Sequence, residues 1–164
     1  MSKISDIQEL RDQRDSLMRA RTILIAAKSQ EDYPEMGVTP VIRHDGDFYI
    51  YPSHLASHVR AMLDQNVAQF MMIEDETSAQ NIWARRRLKF TASLVDVERD
   101  SALFDLLCTQ FAAEHGPTIG VIRDFSDFHM MRLVPTVGVM VLGFAKAFEL
   151  RGRDLDIVAH LEKS

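Results

Sequence analysis

The sequence has 164 residues, 46% of them hydrophobic and 26% charged, with 19 Lys and Arg against 24 Asp and Glu for a formal net charge of −5. That length suits one domain, and folding removes about 69% of the unfolded surface from water, so a core needs no disulfide or structural metal. The acidic balance gives no general drive toward nucleic acid or an anionic membrane, and no apolar run reaches the roughly 18–20 residues of a membrane span.

The polar, acid-bearing segment Met1–Asp15 is neither a secretory signal nor an Arg-rich transit peptide. One cysteine, Cys108, closes no intrachain disulfide and builds no Cys-rich zinc site. In its apolar helical surroundings it reads as an inert core thiol, and the compartment expected is the cytoplasm. No repeat, low-complexity tract or linker divides the chain. Residues 1–164 are therefore expected to form one domain, with an N-terminal helix over 1–17 and a C-terminal helix or tail over 152–164.

In chain order, Ser2–Leu17 carries Ile4, Ile7 and Leu10 at helical spacing. Arg21–Ala27 is short and β-branched and predicts a strand, Gly37–Arg43 a second, and Phe48–Tyr51 a third. Gly46 in the His44–Asp47 turn is free to take positive φ, so these three strands form a meander. Ser53 is the expected N-cap of a helix with Leu55, Val59, Met62 and Leu63 on its apolar side. The nearly all-apolar Val67–Ile73 suits a strand covered on both faces. Leu88–Leu94 alternates strictly, the mark of a half-buried strand. A helix from about Asp100 packs through Leu103, Leu107 and Phe111 and stops at Gly116-Pro117. Thr118–Ser126 suggests a short helix, Phe128–Leu133 and Val137–Leu150 strands, and Asp154–Leu161 a last helix. Many short strands with few helices exclude a doubly wound sheet and favour an antiparallel barrel with peripheral helices.

Three segments hold candidate chemistry. His54 and His58 stand four apart on the expected helix, a spacing able to hold a metal, but no Glu follows His54 as a metalloprotease motif requires. The helix start at Ser53 with Arg60 nearby also suits a carboxylate or phosphate, while a capped helix with surface histidines is the simplest reading. Arg87, in Trp83–Lys89, projects opposite the Leu88/Phe90 face and would be a strong anion donor there; otherwise the Glu74–Glu76 and Arg85–Arg87 clusters are solvated faces. Asp127, at the start of Asp127-Phe-His129, is either a turn residue or a carboxylate that orients an imidazole.

Together the strings Ser53-x-Leu-Ala-x-His58, Met71-Met-Ile-Glu-Asp-Glu-Thr77, Ala84-Arg-x-Arg87-Leu, Val97-Glu-Arg-Asp100, Asp127-Phe-x-x-x-Arg132-Leu133 and Gly143-Phe144 resemble the haem-utilisation proteins of the HugZ/HutZ type. These proteins belong to the flavin-binding split-barrel superfamily that includes pyridoxamine-phosphate oxidase. The resemblance runs from about Asp12 to Leu161 in unbroken order. It implies a mainly β homodimer of six-stranded antiparallel split barrels, with haem bound at the subunit interface and oxidatively degraded using an external electron donor.

By the same resemblance, Asp127 supports the axial histidine, Arg87 acts on the ligand side, and His58 is the motif histidine of the early helix. The family's axial histidine lies in a C-terminal tail, and this sequence ends at Ser164, about where that residue is expected; His160 is the nearest substitute as metal ligand. Ala61 stands where the family carries asparagine. The superfamily also implies two alternatives. One is an FMN oxidoreductase with Ser53 and Arg60 near the FMN phosphate; the other is a non-enzymatic haem carrier.

Overall fold

Alternating apolar residues build a sheet that curls until one edge meets a strand further along it. In this computed structural model, which describes residues 3–162, the regular run around Leu88 becomes the strand β5 (Arg87–Asp96), with Leu88, Phe90, Ala92 and Leu94 all buried. Ser2, Lys163, Ser164 and the Ile4 side chain, parts of the expected terminal segments, lie outside the described residues. The expected meander is β1 (Thr22–Lys28), β2 (Pro34–His44) and β3 (Asp47–Ile50). β2 and β3 are joined by Asp45 and Gly46 at φ of 48° and 83°, the paired positive values of a tight hairpin turn.

β4 (Val67–Ile73), β6 (Met131–Gly143), β7 (Lys146–Arg151) and β8 (Asp156–Leu161) complete an antiparallel sheet in the order β3-β2-β1-β4-β5-β6-β7-β8. A further pairing of Phe48–Ile50 with Met131–Leu133 joins β3 to β6 and closes six strands into a barrel. β7 and β8 extend beyond it. The sharing of β6 between two neighbours rests on one irregularity. Ala92 faces Pro135 and Thr91 faces Val137, so Thr136 is the extra residue of a bulge. Before the bulge β6 pairs with β3; after it, with β7.

Inside the barrel Phe48, Phe90 and Phe70 stack in series, with centroids 5.7 and 5.6 Å apart. Helix α2 (Ser57–Gln65) adds Val59 and Met62 to this core. A second cluster lies outside β2 and β3, where Ile42, Tyr49 and Tyr51 pack on Phe104, Leu107, Cys108 and Phe111 of α3 (Ala102–His115) and on Ile119 of α4 (Thr118–Ile122). Cys108 is buried, and burial pushes its thiol pKa up, as expected of an inert core residue. The N-terminal helix, α1 (Lys3–Leu17), ends on buried Leu17 and Met18. Among the described residues no helix is long and apolar enough to cross a membrane.

The structure corrects several local expectations. Asp154–Leu161 is not a helix: Leu155 plugs the barrel core, and Asp156–Leu161 pairs with the open edge of β7, so tertiary pairing outweighs local propensity. The two expected strands between Phe128 and Leu150 are β6 and β7, divided at Phe144-Ala145 rather than at Pro135, which the bulge accommodates. Leu103 is exposed and α3 buries Phe104 instead. α2 starts at Ser57, with Ala56 rather than Ser53 at its N-cap, and Leu55 precedes it, exposed. β4 buries only one face; Val67 remains 41% exposed in the single chain.

Candidate functional site

Ser53 cannot cap α2 because it is held extended by an isolated antiparallel bridge to Phe128. The bridge is reinforced by His54 N–H donating to the Asp127 carbonyl and His129 N–H donating to the Pro52 carbonyl, each at 2.9 Å. The Ser53 hydroxyl donates to the Asp127 carboxylate and accepts from Leu55 N–H. Asp127 is thus fixed at the entry to α2. Arg60 turns back on its own entry loop, Nη1 donating to the carbonyls of His54 and Leu55 at 3.0 and 2.8 Å. Ser53 therefore stands outside α2, and the Arg60 guanidinium is directed at the loop between them.

His54 and His58 do not share a helical face, since His54 lies before α2. Its Nδ1 meets Nε2 of His129 at 2.7 Å. Burial holds His129 below the usual imidazole pKa, and the neighbouring His54 adds to this. The loop carrying Asp127 and His129 is clamped by Arg99, whose guanidinium donates to the carbonyls of Arg123, Phe125 and Phe128 and to the Tyr51 hydroxyl.

His58 is half-buried and its pKa is lowered, chiefly by burial, against an opposing pull from Glu35. Its ring packs against Gly37 of β2, and a Cβ added at Gly37 would overlap the imidazole, so a larger residue there would displace the His58 ring. Ser53 and His58 line a mostly apolar cavity of about 470 Å³ between β2, the α2 entry, α3 and α4, with Tyr51, Phe111 and Phe128 in its walls.

Arg87 is elsewhere. It pairs across the sheet with Ile73 of β4 and Val141 of β6, on the barrel's outer face, opposite buried Leu88. The other two arginines of its run are held locally. Arg85 donates to the Glu74 carbonyl and reaches Glu76, and Arg86 binds the Glu74 carboxylate at 2.8 Å and also reaches Gln13 of α1. Burial raises the Glu74 pKa, but the bonds and charge of Arg86, with help from Arg85, outweigh it and hold the carboxyl below its ordinary value. Among the described residues no carboxylate lies within ion-pair reach of Arg87; its one hydrogen bond goes to the Arg85 carbonyl at 3.0 Å.

His160 is on a strand rather than a helix. It is exposed, stands opposite Phe148, and hydrogen-bonds through Nε2 to the Ala145 carbonyl at 2.9 Å. It borders a larger cavity of about 810 Å³ beside α1 that also includes Arg86 and Lys146. One chain therefore brings Ser53, Asp127 and His58 to the α2 entry and leaves Arg87 and His160 apart from them.

The same fold recurs in known proteins. No protein-family model matches the chain. Against curated proteins, however, it is 33% identical over 158 residues to heme oxygenase HutZ of Vibrio cholerae, spanning 96% of this chain and 86% of HutZ. The chain belongs to the HutZ family. A crystal structure of HutZ from Vibrio cholerae, described as a heme storage protein, superposes with a TM-score of 0.70 at 27% identity over 88% of this chain and 96% of HutZ. Campylobacter jejuni ChuZ superposes with a TM-score of 0.83 at 23% identity, over 94% of this chain and 63% of ChuZ. A pyridoxinephosphate oxidase family protein from Clostridium acetobutylicum, at 13% identity and a TM-score of 0.60 over 88% of this chain and 93% of its own, shares the fold. The HutZ-like split barrel inferred from sequence blocks is thus the fold found.

Three features of this HutZ-family chain escaped sequence reasoning: the His54–His129 contact, the Arg99 clamp and the Glu74–Arg86 pair. Arg99 and Glu74 both sit inside quoted motif blocks, which was the available signal. The histidine contact had none, because its partners are 75 residues apart.

Proposed function

We propose that this protein binds haem between two copies of itself and degrades it oxidatively with electrons from an external donor. The observation that carries the reading is the HutZ match across nearly the whole chain, joined to an outward Arg87 that pairs with no carboxylate among the described residues. An anionic substrate carrying two propionates suits that guanidinium. The second copy is argued from surface. The chain exposes 9806 Å², about 1,500 Å² more than the roughly 8,300 Å² expected of a folded monomer of this size. Part of that surface is apolar strand: Met36 and Val38 of β2 are 69% and 60% exposed and adjoin Leu24 and Met71 on the same outer face. Such a patch supports an isologous interface.

The test is parallel titration of the purified protein with haemin and FMN. A saturable Soret band that decays on adding a reductant and oxygen is the expected result. A Soret band that persists means storage, the description attached to the HutZ crystal structure, and overturns the enzymatic half. Flavin absorbance with no Soret band overturns the reading altogether. The FMN alternative draws less from this chain, because α2 starts after Ser53 and Arg60 is turned onto its own loop.

A further inference from the structure

The His54–His129 pair is left over from every role assigned above. Two imidazoles approach nitrogen to nitrogen at 2.7 Å, Nδ1 of one to Nε2 of the other, with ring centroids 5.0 Å apart. Neither residue is placed by chance. His54 follows Ser53 and His129 follows Phe128, and the reciprocal bonds His54 N–H to Asp127 and His129 N–H to Pro52 fix both backbones across the bridge. The pair sits where the α2 entry loop meets the Arg99-clamped segment, so both rings are carried on restrained chain.

We propose that His54 and His129 form an open binding site for a divalent late first-row transition-metal ion, of the Zn²⁺, Ni²⁺ or Cu²⁺ class, through Nδ1 of His54 and Nε2 of His129. Imidazole nitrogens are suited to these ions. The centroid separation is close to the 2.7 Å contact plus the two ring radii, so the nitrogens face each other nearly head-on. Bonds of about 2.0–2.1 Å at angles between about 90° and tetrahedral separate two nitrogens by roughly 2.9–3.3 Å, so binding turns each ring by about 35–45° while the nitrogens part by a few tenths of an ångström. In the hydrogen-bonded pair one of the two facing nitrogens carries the shared proton. Coordination shifts that proton, through water, to the other nitrogen of the same ring, leaving Nε2 of His54 and Nδ1 of His129 protonated; a hydrogen bond is displaced, one ring changes tautomer, and no net proton leaves the neutral pair. Asp96 and Asp127 contribute negative charge around His129 and Arg99 positive charge. Among the described residues no third His, Cys, Asp or Glu completes a protein cage. The remaining coordination positions belong to water, which makes the ion exchangeable rather than structural.

The experiment uses the full chain without a histidine tag, titrated calorimetrically with ZnCl₂ and NiCl₂ and followed with Cu²⁺ by electron paramagnetic resonance. Expected are one saturable ion per chain, mutual competition among the three ions, and nitrogen hyperfine structure from two equivalent donors. His54→Ala and His129→Ala should each weaken binding at least tenfold, while His44→Ala, at a histidine bonded to Gln110, leaves it unchanged. Long-range proton–nitrogen spectra with Zn²⁺ should shift Nδ1 of His54 and Nε2 of His129; they report on the native chain if either alanine variant fails to fold. Absence of saturable binding overturns the proposal. So does binding that survives both substitutions, or shifts at other histidines.

Discussion

Arg87→Ala is the most discriminating substitution, because its effect on the fold is small and its effect on the proposed substrate is not. Arg87 is half-buried at the start of β5, and among the described residues its side chain makes one hydrogen bond, to a carbonyl two residues away. Losing such a contact leaves stability within about 0.5–1 kcal/mol. Arg85 and Arg86, the cations beside it in sequence, are held on Glu76 and Glu74. No neighbour in the run can take over an anion that Arg87 releases.

A charge-assisted hydrogen bond contributes about 1.5–3 kcal/mol, so anchoring a propionate through Arg87 predicts a haemin affinity lowered by about 10–100-fold in Arg87→Ala. Arg87→Lys should recover part of it, since the charge remains and the planar fork does not. Propionate binding is made equally before and during reaction, so the decay rate at saturating haemin should stay within about threefold of the parent. Soret titration gives the first quantity and single-turnover decay under oxygen the second. Unchanged affinity with decay slowed about 10²-fold would refute the anchoring argument and make Arg87 a donor to charge that develops during the reaction. No change in either removes Arg87 from the site.

Two further outcomes follow from surface and charge. Val38→Asp, at a position 60% exposed in the single chain, should leave unfolding of the monomer within about 0.5 kcal/mol while sedimentation shifts from dimer to monomer at micromolar concentration; an unchanged dimer places the interface elsewhere. For Glu74 the folded pKa lies below the ordinary value of 4.5. Its stabilisation is therefore fully present above that value and is lost as pH falls through the lowered one. Glu74→Gln should cost about 1–2 kcal/mol in urea unfolding at pH 7, with the gap to the parent narrowing as pH falls below the ordinary value of 4.5; a gap that does not narrow with falling pH contradicts the ion-pair account.

How far the sequence could be read depended on the range of the deciding contact. The alternation of Leu88, Phe90, Ala92 and Leu94 and the Asp45-Gly46 turn are local signals, and both strand and hairpin stand where they point. Asp156–Leu161 has only six residues, too few for periodicity to separate helix from strand, and the free edge of β7 decided it. Ser53 carries the right chemistry for a cap, but its hydroxyl finds a carboxylate 74 residues away. The site was legible mainly as motif blocks, and the blocks do not say which residues share a space.

That division leads to a test of the dimer itself. Arg87 occupies the outer face of β5, whereas Asp127 is tied to Ser53 at the α2 entry. The cavity there is bordered by Ser53 and His58, and Arg87 is not among its walls. If both residues serve one haem, they do so from different copies. In a two-fold dimer, a chain carrying Arg87→Ala paired with a chain carrying Asp127→Asn then places both defects in one site and none in the other. At haemin concentrations well below saturation, where lost affinity lowers the rate, the purified heterodimer, co-expressed with two different tags, should keep about half the parental decay rate, while each homodimer keeps only a small fraction. The arithmetic needs no assumption about what either residue does, only that each matters and that sites are shared. A heterodimer no more active than the two homodimers would put Arg87 and Asp127 in the same chain's site, or remove one of them from it. Gel filtration of the same sample separates that result from simple loss of dimer.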